Sequence, residues 1–491
     1  MFYHQKLNKY NTLLFFIFIL VFTSIILPMI EFKYSIFLLL AILSIYFIIH
    51  FSKDIWILIV IVLFLGQLFP YDYHFSKYIV FHRGGIYPGF IISPIHISLF
   101  ISIVILLLFC YKRFKYNFKV DKSIFIWIVF TIYCFLISFI NATSIKASFY
   151  EMIRMLLVGL LSIITYSTIY KEKHLYIVIR MIGIIIIAEC VIVFLQQFGL
   201  LPHNLLFGDI SKTNIKSIIQ LFIRPPGTLR HPNILAIFLA LYIPIYLTLS
   251  LVETDNKRKL FFITVLSFSF LALLLTLGRS AIVGTIMGSI FSLFLISKYL
   301  KKHLPSKKFI ISGLTIIITI VATITTIFSQ LIYLRFFAFG NVTAEGRLSQ
   351  YKNAIFIIKN YFLCGVGLNN YNSAMIMNDV SGVAGVQPQY PVHNLYLLYF
   401  AETGIIGIFL LVSFIIYIYY KVFKVLKSKK INIYNSIIII GGIGGLTSVF
   451  LQGLLDWGLR SISLFSAFFL WGLIIAAINT IPEESKKELT L

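Results

Sequence analysis

The sequence predicts an all-α protein that crosses a membrane many times, and its composition and long apolar runs carry this prediction. Of its 491 residues, 60% are hydrophobic and 12% are charged, whereas a soluble domain carries about 25% charged residues. Several apolar runs reach the ~20 residues with which a helix crosses a bilayer. Because backbone groups in lipid must bond within their own segment, such runs are expected to be helices. A β-barrel would need ~10-residue segments of alternating polarity, and the runs here are continuous.

Fourteen apolar segments follow one another along the chain, and we interpret each as a membrane-spanning helix. Their approximate bounds are 12–30, 34–51, 55–70, 92–111, 123–141, 150–170, 175–200, 232–252, 260–277, 280–297, 309–329, 393–420, 433–452 and 461–479. Spans 9 and 10 meet at Leu277-Gly278-Arg279-Ser280 with almost no loop between them. Span 12 contains Gly404 and Gly407, and these glycines predict a break or a tilt.

The basic residues cluster in alternate loops, and this pattern predicts the orientation of the chain. The richest stretches are 112–122, 257–259, 298–308 and 421–430. By the positive-inside rule these loops face the cytoplasm, so both termini are expected there. Helix orientation then accounts for the net charge of +24, and nucleic acid is not an expected partner. The four cysteines are scattered without a CxxC pair, so they indicate neither a disulfide framework nor a zinc site. No metal or cofactor is expected.

Three segments on the predicted outer side are longer than a tight turn, namely 71–91, 201–231 and 330–392. The last of them, between spans 11 and 12, is the longest. Loops of this length without secondary structure are uncommon in compact domains. We therefore predict a large extracytoplasmic loop that contains short helices lying over the membrane surface.

Several residues that could carry chemistry fall together on the predicted outer side, although the orientation was assigned from other residues. They are Arg224, Arg230, His231, Arg279, Arg347, His393 and Asp456. Arginine is normally depleted in outer loops, so the arginines on this side are expected to have a role other than orienting the helices. A guanidinium matches the geometry of phosphate oxygens. An imidazole, with an ordinary pKa of about 6.5, can accept a proton near neutral pH. The set suits a substrate with a phosphate leaving group.

Each candidate also has a structural explanation. His393 with the following Asn could simply start a helix at the interface, and Arg279 could be a snorkelling side chain. Arg347 could be a solvated loop charge, and Arg224–Asn233 could be a rigid turn into span 8, with Pro232 near the helix start.

Two further acidic residues have the same double interpretation. Asp456 and Arg460 bracket a short turn around Trp457, and a local ion pair in an aromatic belt would explain them. Glu402 lies within span 12, where it is expected either to pair with a cation or to be a buried, hydrogen-bonded carboxyl.

Four segments in a fixed order resemble the O-antigen ligase-like superfamily, which includes O-antigen ligases and related bacterial polysaccharide polymerases. The string H-N-x9-G-x-x-G from His393 to Gly407 matches the signature of that family. The others are RPPGTLRHPN at Arg224–Asn233, LTLGRSA at Leu275–Ala281, and GRLSQYKNAI…FLCGVGLNNY at Gly346–Tyr371. Together they cover roughly residues 200–420, and the first half of the chain is similar only in being a run of spans.

The resemblance implies a membrane glycosyltransferase of the C-type fold that is metal-independent and inverts the anomeric centre. Its donor would be a glycan on undecaprenyl diphosphate at the outer face of the cytoplasmic membrane. In such enzymes the motif histidine acts at the acceptor hydroxyl, and arginines hold the diphosphate. This implies His393 as the base, with Arg279, Arg347 and, less directly, Arg224 as diphosphate ligands. The supporting candidates are Asn394, Glu402, Arg230, His231 and Asp456.

The predicted organisation has three regions: N-terminal transmembrane helices at 1–200, an O-antigen ligase-like catalytic region at 201–425, and C-terminal helices with a cytoplasmic tail at 426–491. Fourteen spans exceed the twelve usual for ligases, so we expect a surface-polysaccharide polymerase. The alternatives are a ligase that transfers to lipid A–core or another acceptor, and a polysaccharide transporter or flippase. Expected partners are the lipid-linked donor, a glycan or lipid acceptor, membrane lipids, and a chain-length regulator or flippase protein.

Overall fold

A computed structural model describes residues 55–68, 73–74, 91–92, 94–109, 120–202, 224–229, 231–303, 340–378, 391–428, 432–461 and 463–480. Within these residues the chain forms thirteen α-helices, two short 3-10 helices and one pair of two-residue strands. The predicted spans at 12–30, 34–51 and 309–329 lie outside the described residues, as does Arg230.

The helices follow the chain in an order that matches most of the predicted spans. They are α1 Ile55–Leu68, α2 Pro94–Phe109, α3 Lys122–Asn141, α4 Ile145–Thr168, α5 Glu172–Gln197, α6 Pro232–Val252, α7 Asn256–Leu275, α8 Arg279–Tyr299, α9 Gly340–Asn360, α10 Tyr371–Met377, α11 Leu395–Lys427, α12 Ile433–Gln452 and α13 Ser463–Asn479. The strands Tyr73–His74 and Ile91–Ile92 pair antiparallel between α1 and α2. The 3-10 helices are Lys301–His303 and Gly458–Arg460.

Eight of these helices, α3 to α8, α11 and α12, are long and apolar enough to cross a membrane. Helix α13 is apolar over its 17 residues but shorter. Large apolar side chains remain exposed on α8 and α11, among them Val283, Ile290, Phe409 and Ile416, as lipid-facing surfaces require. The prediction of a helical, multi-pass membrane protein is confirmed, while the count of fourteen spans and the position of the large loop stay predictions.

Polar residues start most of the spanning helices. Side-chain oxygens of Asp121, Ser144, Asp255 and Asn432 accept hydrogen bonds from backbone N–H groups in the first turns of α3, α4, α7 and α12. Such caps satisfy donors that have no partner within the helix. Local sequence therefore fixes where these helices begin.

Helix α12 lies at the centre of the bundle, packed against α6, α8 and α13. Its Gly444 and Gly445 bring its backbone close to α8 and α6, because an added Cβ at Gly445 would lie 2.0 Å from the carbonyl oxygen of Leu241. Small residues at such crossings are the usual means by which membrane helices approach closely. The core therefore depends on backbone proximity as well as on its large apolar side chains.

One end of the bundle collects the α3–α4 turn, the α7–α8 turn, the start of α11 and the turn after α12. Hydrogen bonds connect these parts: Asn141 donates to the carbonyl of Gly365, and Asn394 donates to the carbonyl of Leu454. We call this the motif end, because the sequence motifs lie here. The α4–α5, α6–α7 and α11–α12 connections lie at the opposite end.

Candidate active site

His393 stands immediately before α11, and its backbone is held on both sides. Asn394 caps the helix, with its side-chain oxygen accepting from the N–H groups of Tyr396 and Leu397 at 3.0 Å. The N–H of His393 donates to Oε1 of Gln350 at 3.2 Å, and its carbonyl accepts from the hydroxyl of Tyr351 at 3.3 Å. The cap sets the start of α11, and helix α9 holds the histidine that precedes it.

The His393 imidazole faces a buried carboxylate. Its Nδ1 lies 3.7 Å from Oδ1 of Asp456, and the same Oδ1 accepts from the N–H of Gly458 at 3.0 Å. At 3.7 Å the contact is in ion-pair range but too long for a hydrogen bond. The side chain of Asp456 is 8% exposed and that of His393 is 31% exposed. With Nδ1 turned to the carboxylate, Nε2 is the ring nitrogen left for an acceptor.

The expected local ion pair between Asp456 and Arg460 is wrong. The side chain of Asp456 turns to His393 instead, while that of Arg460 turns inward and is fully buried. A 3-10 turn begins at Gly458, between the two residues, and their side chains point in different directions. The short turn thus supplies one charged group to the candidate site and another to the protein interior.

Asp456 is held in its charged form. Burial opposes its ionisation, but the His393 imidazole, the N–H of Gly458 and the positive charge of Arg347 outweigh that effect. The pKa of Asp456 therefore lies below its usual range. The carboxylate is negative at neutral pH and can stabilise a protonated imidazole beside it.

Arg347 lies on α9 one turn before Gln350 and Tyr351, so the three side chains share a face of that helix. Arg279 is the first residue of α8, directly after the sharp α7–α8 turn. The charges of Arg347 and Arg279 act on one another, and that of Arg347 also acts on Asp456. The two guanidinium groups repel each other, and the charge of Arg347 also reaches the carboxylate that faces His393. An anion placed between them would relieve that repulsion.

Arg224 connects two of the motif segments. It donates through Nε to the carbonyl of Thr276 and through Nη2 to Oδ1 of Asn233, both at 2.5 Å. Thr276 begins the turn in which Leu277 has a φ of 48°, which is uncommon for a non-glycine residue. Arg224 therefore fastens its own segment to the turn that presents Arg279.

His231 starts α6, as its Nδ1 accepts from the N–H of Asn233 at 3.1 Å. Its side chain is exposed, and the charges of Arg224 and Asp456 both reach it. The structure thus brings His231 to the margin of the group formed by His393, Asp456, Arg279 and Arg347. Its ring nitrogen is used as a helix cap, which matches the structural explanation of this segment.

Helix α11 is broken at Gly404, as the sequence predicts, and the break is filled by another part of the chain. Gly404 has φ 67° and ψ −170°. The carbonyls of Ala401 and Glu402 accept instead from the N–H groups of Val366 and Gly367, each at 2.9 Å. An added Cβ at Gly404 would lie 2.1 Å from the carbonyl oxygen of Leu363. The first glycine of the H-N-x9-G-x-x-G signature therefore permits two backbones to cross.

The crossing segment is anchored to the N-terminal helices by Asn370, a residue that sequence reasoning did not select. Its Oδ1 accepts from the hydroxyl of Thr143 at 2.9 Å and the N–H of Ser144 at 2.8 Å, and its Nδ2 donates to the hydroxyl of Ser148 at 2.9 Å. The N–H of Leu368 donates to a hydroxyl on α3. The polar Asn-Asn pair after Gly367 was the one available signal.

Glu402 pairs with a cation, which is one of its two expected states. Its Oε2 contacts Nη1 of Arg460 and also accepts from the N–H of Asn369 at 3.0 Å. Both charged side chains are fully buried. Sequence reasoning did not select Arg460 as a functional residue, because its neighbour Asp456 offered a nearer partner along the chain.

Comparison with protein families gives a match to the model described as O-Antigen ligase over residues 263–412. Comparison with curated proteins gives no match. The matched region contains Arg279, Arg347, His393 and both signature glycines, whereas Arg224, Asp456 and Arg460 lie outside it. Members of this family are membrane glycosyltransferase-like enzymes. The chain is thus a multi-pass membrane protein, and its residues 263–412 match the O-Antigen ligase family, in support of the resemblance to the O-antigen ligase-like superfamily.

Proposed function

We propose that this protein is a bacterial surface-polysaccharide polymerase. It would transfer a glycan from undecaprenyl diphosphate to an acceptor sugar hydroxyl at the outer face of the cytoplasmic membrane. The observation that supports this most is the meeting of three features at one end of the bundle: His393, its carboxylate Asp456, and the interacting pair Arg279 and Arg347. A base beside a positively charged anion site is what transfer from a diphosphate requires.

In this proposal His393 is the general base. With Nδ1 facing Asp456, Nε2 takes the proton from the acceptor hydroxyl as its oxygen attacks. The imidazole becomes positively charged in this step, and the carboxylate of Asp456 stabilises that charge. Asn394 and Tyr351 keep the histidine in position through the helix cap and the backbone carbonyl.

The guanidinium groups of Arg279 and Arg347 bind the donor diphosphate. Negative charge on the diphosphate grows as its bond to the sugar breaks, so fixed cations bind the transition state more tightly than the ground state. Arg279 is the first residue of α8 and Arg347 lies on α9, and their charges act on one another. Arg224 is assigned to holding the α7–α8 turn rather than to the diphosphate.

The bond changes balance without a further reactant. The acceptor oxygen forms a bond to the anomeric carbon from the face opposite the diphosphate, and the carbon–oxygen bond to the diphosphate breaks. The bonding electrons leave with undecaprenyl diphosphate, and the proton moves to His393. A single displacement of this kind inverts the anomeric configuration. The guanidinium groups supply the positive charge that stabilises the departing diphosphate.

The preference for a polymerase over a ligase rests on the fourteen predicted spans, since the proposed chemistry of the two is the same. They differ in the acceptor: a growing lipid-linked glycan for a polymerase, and lipid A–core or another molecule for a ligase. A transporter or flippase would need no base, and the contact between His393 and Asp456 favours bond formation over transport alone.

The test is reconstitution of the purified protein in vesicles with an undecaprenyl diphosphate-linked repeat unit. Longer lipid-linked glycans indicate a polymerase, and transfer only to a different acceptor indicates a ligase. We expect His393→Ala to abolish product while the protein still inserts and remains monodisperse. A matched control is His303→Ala, in the 3-10 helix at the opposite end of the bundle, which should keep wild-type activity. Full activity of His393→Ala would exclude this histidine as the base.

A further inference from the structure

Beneath the His393–Asp456 pair lies a network of four buried charged side chains: Glu151 and Arg154 on α4, Glu402 on α11, and Arg460 in the turn after α12. The Arg154 guanidinium binds Glu151 with both arms, with Nε donating to Oε2 at 2.8 Å. Arg460 contacts Glu151 through Nε at 3.3 Å and Glu402 through Nη1. The network joins the family domain to helices on either side of it.

None of the four side chains is available to a substrate. The side chains of Glu151, Glu402 and Arg460 are 0% exposed, and that of Arg154 is 10% exposed. Glu402 lies seven residues after the start of α11, about 10 Å deeper along the helix. Buried ion pairs often add no stability over an apolar core of the same shape. A role other than stability is therefore expected for these ion pairs.

The network connects the two chain segments that carry His393 and Asp456. Glu402 follows His393 by nine residues on the first half of α11, and Arg460 follows Asp456 by four residues in one short turn. Because α11 is broken at Gly404, the continuous second half of the helix does not fix the position of the first half. The Glu402–Arg460 pair supplies a direct connection between the two segments.

A second connection holds the same turn to α4. Nη1 of Arg154 donates to the carbonyl of Ser461 at 3.3 Å, directly after Arg460. The guanidinium carbon of Arg460 also lies 4.9 Å from the centroid of the Tyr399 ring, one turn before Glu402. An arginine suits this position because its planar fork reaches two carboxylates at once, which the single ammonium of a lysine does less well.

We propose that Arg460 is a positioning residue that sets the separation of His393 and Asp456 by binding Glu402 and Glu151 together. This proposal rests on the proposed function in taking His393 as the base. It assigns no contact with substrate to Arg460. Loss of the network should move Asp456 away from the imidazole while the diphosphate site at Arg279 and Arg347 stays in place.

The test uses a variant in which the buried charge stays balanced. The double variant Arg460→Gln, Glu402→Gln removes one cation and one anion and leaves the Glu151–Arg154 pair intact. A matched control is Asp121→Asn, Lys421→Met, which removes the ion pair between α3 and α11 at the opposite end. Thermal unfolding in detergent verifies that each variant is folded, and Arg460→Lys serves as the conservative variant.

The first measurement needs no activity: the NMR titration of the His393 imidazole, assigned by its loss in His393→Gln. If Asp456 moves away, a protonated imidazole is less stabilised, so the titration midpoint should move to lower pH in the double variant and stay unchanged in the control. An unchanged midpoint in the folded double variant would overturn the proposal. If the double variant does not fold, the same reading is taken on Arg460→Lys, with an intermediate shift expected and no shift overturning it.

The second measurement is the kinetics of glycan transfer. The double variant should lose about tenfold or more in kcat and change KM for the lipid-linked donor by less than about twofold, since only the carboxylate that supports the base is displaced. Arg460→Lys should fall between it and wild type. Wild-type kcat in the double variant would contradict the positioning role. An inactive wild type would contradict the proposed function instead, and the titration would still decide the role of Arg460.

Discussion

Nδ1 of His393 lies 3.7 Å from Oδ1 of Asp456. His393 belongs to the region that matches the family, whereas Asp456 lies beyond the end of that region. The contact gives the histidine of a recognised motif a carboxylate from outside that motif. It also gives a simple account of which imidazole nitrogen faces the substrate.

Asp456→Asn should weaken catalysis and shift its pH dependence. The pKa of Asp456 lies below its usual range, so the carboxylate is charged throughout the range in which an imidazole titrates. Its negative charge favours the protonated imidazole, which is the inactive form of a base. Without that charge, the acidic limb of the pH–rate profile should move to lower pH. We expect kcat to fall about 10- to 100-fold, which is a part of the ~10²–10⁴ that a general base contributes, because His393 itself stays in place. A profile identical to that of wild type would contradict the assigned pair.

Arg347→Gln should reduce kcat/KM for the lipid-linked donor by about 10²-fold, the usual effect of removing one charge-stabilising donor from a transition state. Arg347→Lys should retain part of the activity, because it keeps the charge but loses the planar fork. Inorganic pyrophosphate should inhibit wild type by competing for the same cations and should inhibit Arg347→Gln less.

The matched control for that arginine is Arg258→Gln, in the first turn of α7 at the opposite end of the bundle. Its guanidinium lies over the Tyr176 ring at 5.0 Å and has no place in the proposed site. Equal losses in both variants, or equal inhibition of wild type and Arg347→Gln by pyrophosphate, would argue against a diphosphate site at Arg347.

Alanine substitutions at Gly404 and Gly346 should have opposite effects on stability, because only Gly404 lies where two backbones cross. Gly404→Ala would bring a Cβ to 2.1 Å from the Leu363 carbonyl oxygen at a φ of 67°. We expect a loss of about 1–3 kcal/mol of unfolding free energy from overpacking, increased by about 1–2 kcal/mol from the left-handed conformation. Gly346→Ala, where an added Cβ meets nothing within 4 Å, should instead raise stability by about 0.5–1 kcal/mol. Unfolding in detergent measures both, and equal stability of the two variants would contradict the crossing.

Features of the fold that depend on local sequence could be predicted well. The apolar runs locate the helices, and Pro232 and Asn394 lie at helix starts as expected. Gly404 breaks α11, and the α7–α8 turn falls at Leu277–Gly278, because the backbone there is set by a few neighbouring residues. The family resemblance, carried by motifs of this local kind, is confirmed.

Features that depend on contacts between distant parts of the chain could not be predicted in the same way. Proximity in sequence suggested that Asp456 pairs with Arg460, but burial of Arg460 against Glu402 and Glu151 gives it two carboxylates. The hydrogen bonds of Asn370 to Thr143 join segments more than 200 residues apart. Such partners are decided by packing, and a single sequence carries little local signal for them. The roles assigned to the site residues stay predictions.

The measurement that tests the central claim most directly follows glycan elongation and carrier release together in vesicles that contain only this protein and an undecaprenyl diphosphate-linked repeat unit. We expect one undecaprenyl diphosphate to be released for each new glycosidic bond, with inverted anomeric configuration in the product, and neither product nor release from His393→Ala. Movement of the lipid-linked glycan across the bilayer without bond formation or carrier release would contradict the account.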